Sequence, residues 1–218
     1  MLGRPRSFVM DSPFWGPNFE KEEIKAELKK RNLKYEELQE DELLRKVASD
    51  IANGRVVGWF QGRTEWGPRA LGNRSILADP RRKEMKDILN LRIKKREDFR
   101  PFAPSILENK TSEWFEESRS VPFMEKVYKV KEAKRSIIPA VTNIDGTGRL
   151  QTVRRYTNPK YYDLIKAFEE ITGVPLVLNT SFNDNEPIVN TLADALDCFM
   201  KTKIDCLALG NYYVVNIT

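Results

Sequence analysis

NPKYYDLIKAFEEITGVPLVLNTSFN, residues 158–183, sets the architecture. Its first half places Tyr161, Leu164, Ile165, Phe168 and Ile171 at the spacing of a helix with one apolar face, and Gly173 stops it. PLVLN, 175–179, follows as a continuous apolar strand and delivers the polar stretch NTSFNDNEP. A helix that hands on to a buried strand belongs to a layered chain of mixed helices and strands. The carboxyl end of such a strand is where open α/β sheets put ligands. Asn179, Thr180, Ser181 and Asn183 are therefore candidate site residues. The alternative is that the stretch only caps the next helix.

Working outward, the same pattern repeats. Residues 191–201 read as a helix, and CLAL and YYVVNI as closing strands. Upstream, 19–32 form a charged amphipathic helix with Ile24 and Leu28 inward. Residues 41–53 carry Leu43, Leu44, Val47, Ala48 and Ile51 as a helical stripe ended by Asn53-Gly54. RVVGWFQ, 55–61, is a buried strand; ADPRRKEMKDILNLRIK starts a helix near Asp79-Pro80, with Met85, Ile88, Leu89 and either Leu91 or the stem of Arg92 inward. PFAPSIL is extended, and FMEKVYKV, 123–130, an edge strand. AVTNIDGTGRLQTV places the turn Asp145-Gly146 between two short strands. The expected fold is α/β (α+β), a twisted mixed sheet with flanking helices. Residues 1–18, rich in Pro and Gly, form a lead-in or linker to a domain over 19–218.

Composition limits the chemistry. A chain of 218 residues with 40 % hydrophobic and 32 % charged content can bury a real core. There is no histidine, which removes a Ser-His-Asp triad and the commonest transition-metal ligand. Cys198 and Cys206 lie in apolar contexts and read as two reduced core thiols. No apolar run approaches the ~20 residues that cross a bilayer, and the N-terminus lacks the apolar centre of a secretory signal. The expected location is cytoplasmic, with no membrane partner. A formal charge of +5 favours a polyanionic partner, nucleic acid or small-molecule phosphates.

Polar loops concentrate the cations. GRTEWGPRALGNRS, 62–75, sets Arg63, Arg69 and Arg74 among Gly62, Gly67 and Gly72, with Glu65 placed to orient a guanidinium and Gln61 just before. Glycine allows close backbone approach and arginine offers a fork that fits phosphate oxygens in pairs. RIKKREDFRPF, 92–102, carries Arg92, Lys94, Lys95, Arg96 and Arg100; Phe99, Pro101 and Phe102 box Arg100 in, and Lys94 lies near enough to share its ligand. DGTGR, 145–149, adds Arg149. For each loop the competing reading is structural: a solvated turn, a charged helix face, a hairpin. Grouped cations repel one another unless something strongly negative sits among them, and such a group could stabilise charge in phosphoryl or nucleotidyl transfer.

GRTEWGPRALGNRSILADPR, IKKREDFRPFAPSI, VTNIDGTGRLQTV and PLVLNTSFNDNEPIV, in that order, closely resemble the C-terminal domain of the O-carbamoyltransferases of nodulation-factor and antibiotic biosynthesis. The resemblance runs from about residue 13 onward and implies a YrdC-like fold that takes ATP with Mg2+ and carbamoyl phosphate and forms carbamoyl adenylate. It implies an N-terminal carbamoyl-transfer domain in the same protein, holding an iron-type metal through its histidines. By the same resemblance Arg69 and Arg74 look like phosphate clamps and Lys94 and Arg100 like further phosphate ligands. Arg149 and Ser181, beside Asn179, would complete the site, with Gln61, Arg63 and Glu65 in support. Catalysis would then rest on Lys94, Arg100, Arg149 and Ser181 through positioning and charge, without a proton-transfer base. Asn143 stands where the family usually has a histidine; it is kept as a candidate substrate-binding residue that could still hydrogen-bond, but it cannot take a proton near neutral pH.

Two other readings compete. A YrdC-like RNA-binding module without catalysis fits the positive charge, but the cations sit in Gly-rich loops beside carboxylates rather than along an exposed stripe, so nucleic acid is disfavoured. A domain left catalytically idle by Asn143 is the third. The acceptor molecule and a homodimeric state stay open.

Overall fold

Residues 7–216 are described by a computed structural model; the ends of the lead-in and of the domain, 1–6 and 217–218, lie outside the described residues. In chain order the elements are α1 (Lys21–Lys30), β1 (Glu36–Glu37), α2 (Glu40–Ala52), β2 (Val57–Phe60), β3 (Arg74–Ala78), α3 (Met85–Asp87, continued as a π-helix over Ile88–Ile93), β4 (Ala103–Leu107), α4 (Thr111–Trp114), β5 (Lys126–Lys129), α5 (Glu132–Arg135), β6 (Thr147–Val153), α6 (Pro159–Thr172), β7 (Leu176–Ser181), α7 (Leu192–Lys201), β8 (Cys206–Leu209) and β9 (Tyr212–Val215). The strands make one mixed sheet in the order β1-β9-β8-β2-β3-β7-β4-β6-β5. Pairs β2/β8 and β4/β6 are parallel and the remaining pairs antiparallel. Every residue of β2, β3, β4 and β8 is buried. Because successive strand residues point to opposite faces, both faces of the central sheet are covered. The expected α/β sheet with flanking helices is the architecture found.

The strongly periodic helices form as read. In α2 the stripe Leu43, Leu44, Val47, Ala48 and Ile51 is buried, and α2 packs along α6. Helix α6 starts where Asn158 accepts from the Tyr161 N–H and ends at Gly173, with φ 73°. Ile171, expected inward, is exposed because the apolar face closes one turn earlier, at Phe168. Cys198 and Cys206 are free and buried.

Several expectations are corrected. Arg74 and Ser75, read as the end of the 62–75 loop, open the buried strand β3, since they extend the apolar run ILA. Asp79 caps no helix; its carboxylate accepts from the Arg81 backbone and guanidinium, and helix begins only at Met85. The wider π turn then brings Met85, Leu89, Asn90 and Ile93 inward and leaves Leu91 exposed. Ahead of the Asp145-Gly146 turn stands a short 3-10 turn, Pro139–Val141, in place of a strand. The strand read as 175–179 runs to Ser181, and the next helix is capped by Thr191, so the NTSFN stretch is not an N-cap.

One feature of this fold prepares the site. Gly72 sits at φ 107° and a Cβ there would meet Tyr161 Cδ1 at 2.2 Å, whereas Gly173 has open space around it. Gly72→Ala is expected to destabilise the fold by about 3–5 kcal/mol through strain and collision together, and Gly173→Ala by about 1–2 kcal/mol through strain alone. Urea unfolding of the two variants checks the difference; equal losses would overturn it.

Candidate anion-binding site

The loop between β2 and β3 is built around Glu65. Its Oε1 accepts the backbone N–H groups of Leu71, Asn73 and Arg74 at 2.7, 2.7 and 3.2 Å. Arg74 is fully buried, and its guanidinium donates to the carbonyls of Gln61, Gly62, Asn73 and Pro17 at 2.6–3.3 Å while lying over the Phe60 ring. Burial lowers its pKa to about 10, against the pull of Glu65. Arg74 is therefore placed as a strut of the loop rather than at the cavity: both terminal nitrogens are spent on carbonyls, and only the buried Nε lacks a partner among the described residues. Gln61 is likewise internal, donating to the carbonyls of Ala208 and Gly210. Arg63 donates to the Trp15 carbonyl. The lead-in is stitched to the same loop by Gly16 N–H to Thr64, Thr64 N–H to Pro17 and Trp66 N–H to Pro13.

With those groups committed, Arg69 is left at the loop's tip. It lines a cavity of about 90 Å3 together with Arg96, Arg149, Asn179, Thr180 and Ser181, closed by Phe102 and Met124. The sheet order accounts for the convergence. Asn179 on β7 pairs with Ala103 at the start of β4. Ser105 on β4 pairs with Gln151 on β6, so Arg149 lies level with Ala103, two positions back along the parallel pair. The carboxyl end of β7 thus meets the amino ends of β4 and β6, and the loop between α3 and β4 contributes the fourth side through Arg96.

Charge in this cavity is uncompensated. The side chains of Arg69 and Arg149 have neither a hydrogen bond nor an ion pair among the described residues, and Arg149 Nε is buried without a partner. Burial first, then the positive fields of Arg69 and Arg96, lower the Arg149 pKa. No carboxylate lines the cavity. Arg96 is held in place by Asn90, whose Oδ1 accepts from its Nε at 2.8 Å, and by the Phe102 ring at 5.1 Å. A second, more open recess of about 410 Å3 adjoins, sharing Pro68 and Arg69 and lined also by Glu65, Asn183 and Asn190.

Lys94 stands behind the cavity wall. It is 2 % exposed, and its Nζ donates to the Ser181 carbonyl at 2.5 Å, the Ser181 Oγ at 3.3 Å and the Asn183 carbonyl and Oδ1 at 2.8 and 2.6 Å. Burial, then Arg96, push its pKa down to about 7. Ser181 Oγ in turn donates to Asn183 Oδ1.

The structure thus gathers Arg69, Arg149, Asn179, Thr180 and Ser181 at one cavity, with Lys94 and Asn183 against it. Arg100 does not line the cavity and is not boxed in as expected: it is exposed and paired with Glu97, and Phe99 beside it is 71 % exposed. The ring thought to box in Arg100, Phe102, supports Arg96 instead. Arg96 was missed as a site residue because five cations in eleven residues look alike in sequence; Asn90 and Phe102 as flanking holders were the available signal. Asn143 is spent on its own turn, donating to Thr147 Oγ1 at 3.0 Å, and does not line the cavity.

Comparison with known proteins bears on family and fold. Residues 48–216 match the family described as carbamoyltransferase C-terminus. Nodulation protein NolO of Bradyrhizobium diazoefficiens is 49 % identical over 98 % of this chain and 40 % of its own length. The 3'-hydroxymethylcephem-O-carbamoyltransferase of Amycolatopsis lactamdurans is 44 % identical over 72 % of this chain and 29 % of its own. The chain therefore spans about two fifths or less of these relatives. Sua5 of P. abyssi, in its complex with L-threonine, superimposes with a TM-score of 0.54 at 16 % identity over 80 % of this chain and 48 % of that one, which shows the YrdC-like fold. Among the described residues, no helix is long and apolar enough to cross a membrane.

Lys94 gives the fold a pH signature. Its folded pKa near 7 lies below the ordinary 10.5, so between these values the unfolded chain holds more protons and stability rises with pH. Relative to Lys94→Met, the wild type is expected to gain up to about 1.4 kcal/mol per pH unit across that window. Chemical unfolding of both proteins from pH 6.5 to 9.5 measures it; parallel curves would exclude a neutralised Lys94.

Proposed function

The chain belongs to the carbamoyltransferase C-terminus family, and from that premise we propose that it binds ATP and carbamoyl phosphate and forms carbamoyl adenylate. A separate N-terminal domain of the longer protein then passes the carbamoyl group to a hydroxyl acceptor. The observation that carries this reading is the cavity in which Arg69, Arg96 and Arg149 converge without a carboxylate. Three guanidinium groups held together are complementary to phosphate oxygens, and two of them keep their donors free for a ligand.

The balanced reaction consumes one water and releases phosphate from carbamoyl phosphate and pyrophosphate from ATP. Negative charge shifts onto both leaving groups, where preorganised arginines stabilise it, and the proton lost by the attacking water leaves with the phosphate or passes to solvent. Ser181, fixed by Lys94 and Asn183, offers a hydroxyl at the cavity wall. Mg2+ would arrive on the triphosphate: among the described residues no cluster of three Cys, Asp or Glu side chains stands ready for it. The donor set fits the phosphates rather than the metal. The iron-type metal of the transfer step belongs, in this reading, to the N-terminal domain.

Titration calorimetry with carbamoyl phosphate and Mg-ATP tests the assignment. Arg149→Met and Arg96→Met are each expected to weaken binding by about 10- to 100-fold, the loss of a charge-assisted contact, with melting temperatures close to wild type. Pyrophosphate release on supplying both substrates is the companion assay. Unchanged affinity in both variants would sink the site.

A further inference from the structure

Asn179 carries a buried acceptor that the fold leaves unused. The residue is 1 % exposed, and its Nδ2 donates to the Ala70 carbonyl at 3.3 Å, Ser105 Oγ at 3.0 Å and Gln151 Oε1 at 3.1 Å. The orientation of this amide is fixed by its neighbours. The Ala70 carbonyl can only accept. Gln151 is itself fixed, since its Nε2 donates to the Leu71 carbonyl at 2.7 Å and its Oε1 accepts from Ser105 at 2.6 Å. The nitrogen of Asn179 therefore faces this buried network, and Oδ1 remains without a partner.

That oxygen belongs to a residue lining the cavity of Arg69, Arg96 and Arg149. The guanidinium groups can only donate, so they call for an anion. The lone Oδ1 can only accept, so it calls for an N–H or O–H on the same ligand. A buried acceptor left unpaired costs about 1–3 kcal/mol, which a ligand supplying the donor recovers. An acyl phosphate whose acyl group ends in NH2 meets both demands. One ending in CH3, of nearly the same size, meets only the first.

We propose that Asn179 is the specificity-determining residue of the cavity, its Oδ1 accepting an N–H from the carbamoyl group and so selecting carbamoyl phosphate over acetyl phosphate. This rests on the reading of the cavity as an acyl-phosphate site. Arg69, Arg96 and Arg149 hold the phosphate, and Asn179 reads the acyl end.

Calorimetry with carbamoyl phosphate, acetyl phosphate and inorganic phosphate tests it on the whole chain. The wild type is expected to prefer carbamoyl over acetyl phosphate by about tenfold or more. Asn179→Leu is expected to bring that ratio close to one, while its affinity for inorganic phosphate stays within about twofold of wild type. Equal binding of both acyl phosphates by the wild type overturns the inference, and needs no variant to fold. So does a ratio that survives in Asn179→Leu. Failure of all three anions to bind the wild type instead overturns the anion site itself.

Discussion

The buried pair formed by Glu65 and Arg74 is the constraint from which the site follows. A carboxylate that collects three backbone N–H groups and a guanidinium that collects four carbonyls close the β2–β3 loop from both ends. Each group would be costly to bury alone; the backbone contacts offset much of that cost, and Glu65 favours the charge on Arg74, while Glu65 Oε2 and Arg74 Nε stay without a partner among the described residues. The loop is thereby rigid up to Ala70 and Leu71, and Arg69 is projected from a fixed base. Through Pro17 the same guanidinium reaches the lead-in, so residues 13–17 are part of the loop's support.

Around Arg69 the fold does the opposite of what stability alone would favour. Arg96 and Arg149 are brought close to it, and burial together with mutual repulsion disfavours the charge on Arg149. Such an arrangement is maintained because the rest of the sheet over-determines it: Arg149 is fixed by the β5 and β6 ladder, Arg96 by Asn90 and Phe102. An anion that enters relieves the repulsion, so ligand binding and local stability are coupled. Lys94 extends the same economy one layer deeper. It does not reach the lining; it holds Ser181 and Asn183, the end of β7, in place.

Much of this was present in the sequence. Hydrophobic periodicity determined α2, α6 and α7, the apolar runs gave β2, β4, β7, β8 and β9, and the absence of histidine restricted the chemistry to charge and hydrogen bonding. The motif order identified the family. The short and unusual elements were illegible: β3 begins with a buried arginine, and α3 winds as a π-helix whose inward residues depart from the expected helical face.

Only the tertiary structure decided which cation does what. Arg69 and Arg74 are five positions apart on one glycine-rich loop, yet one is exposed at a cavity and the other is fully buried. The difference lies in Pro17, Gln61 and Phe60, which surround Arg74 from other segments. Arg96 and Arg100 part in the same way, because Asn90 and Phe102 close on the former and leave the latter in water with Glu97. A guanidinium's role is set by the acceptors that reach it, and those are assembled by strand order and long-range contact, which local sequence does not encode.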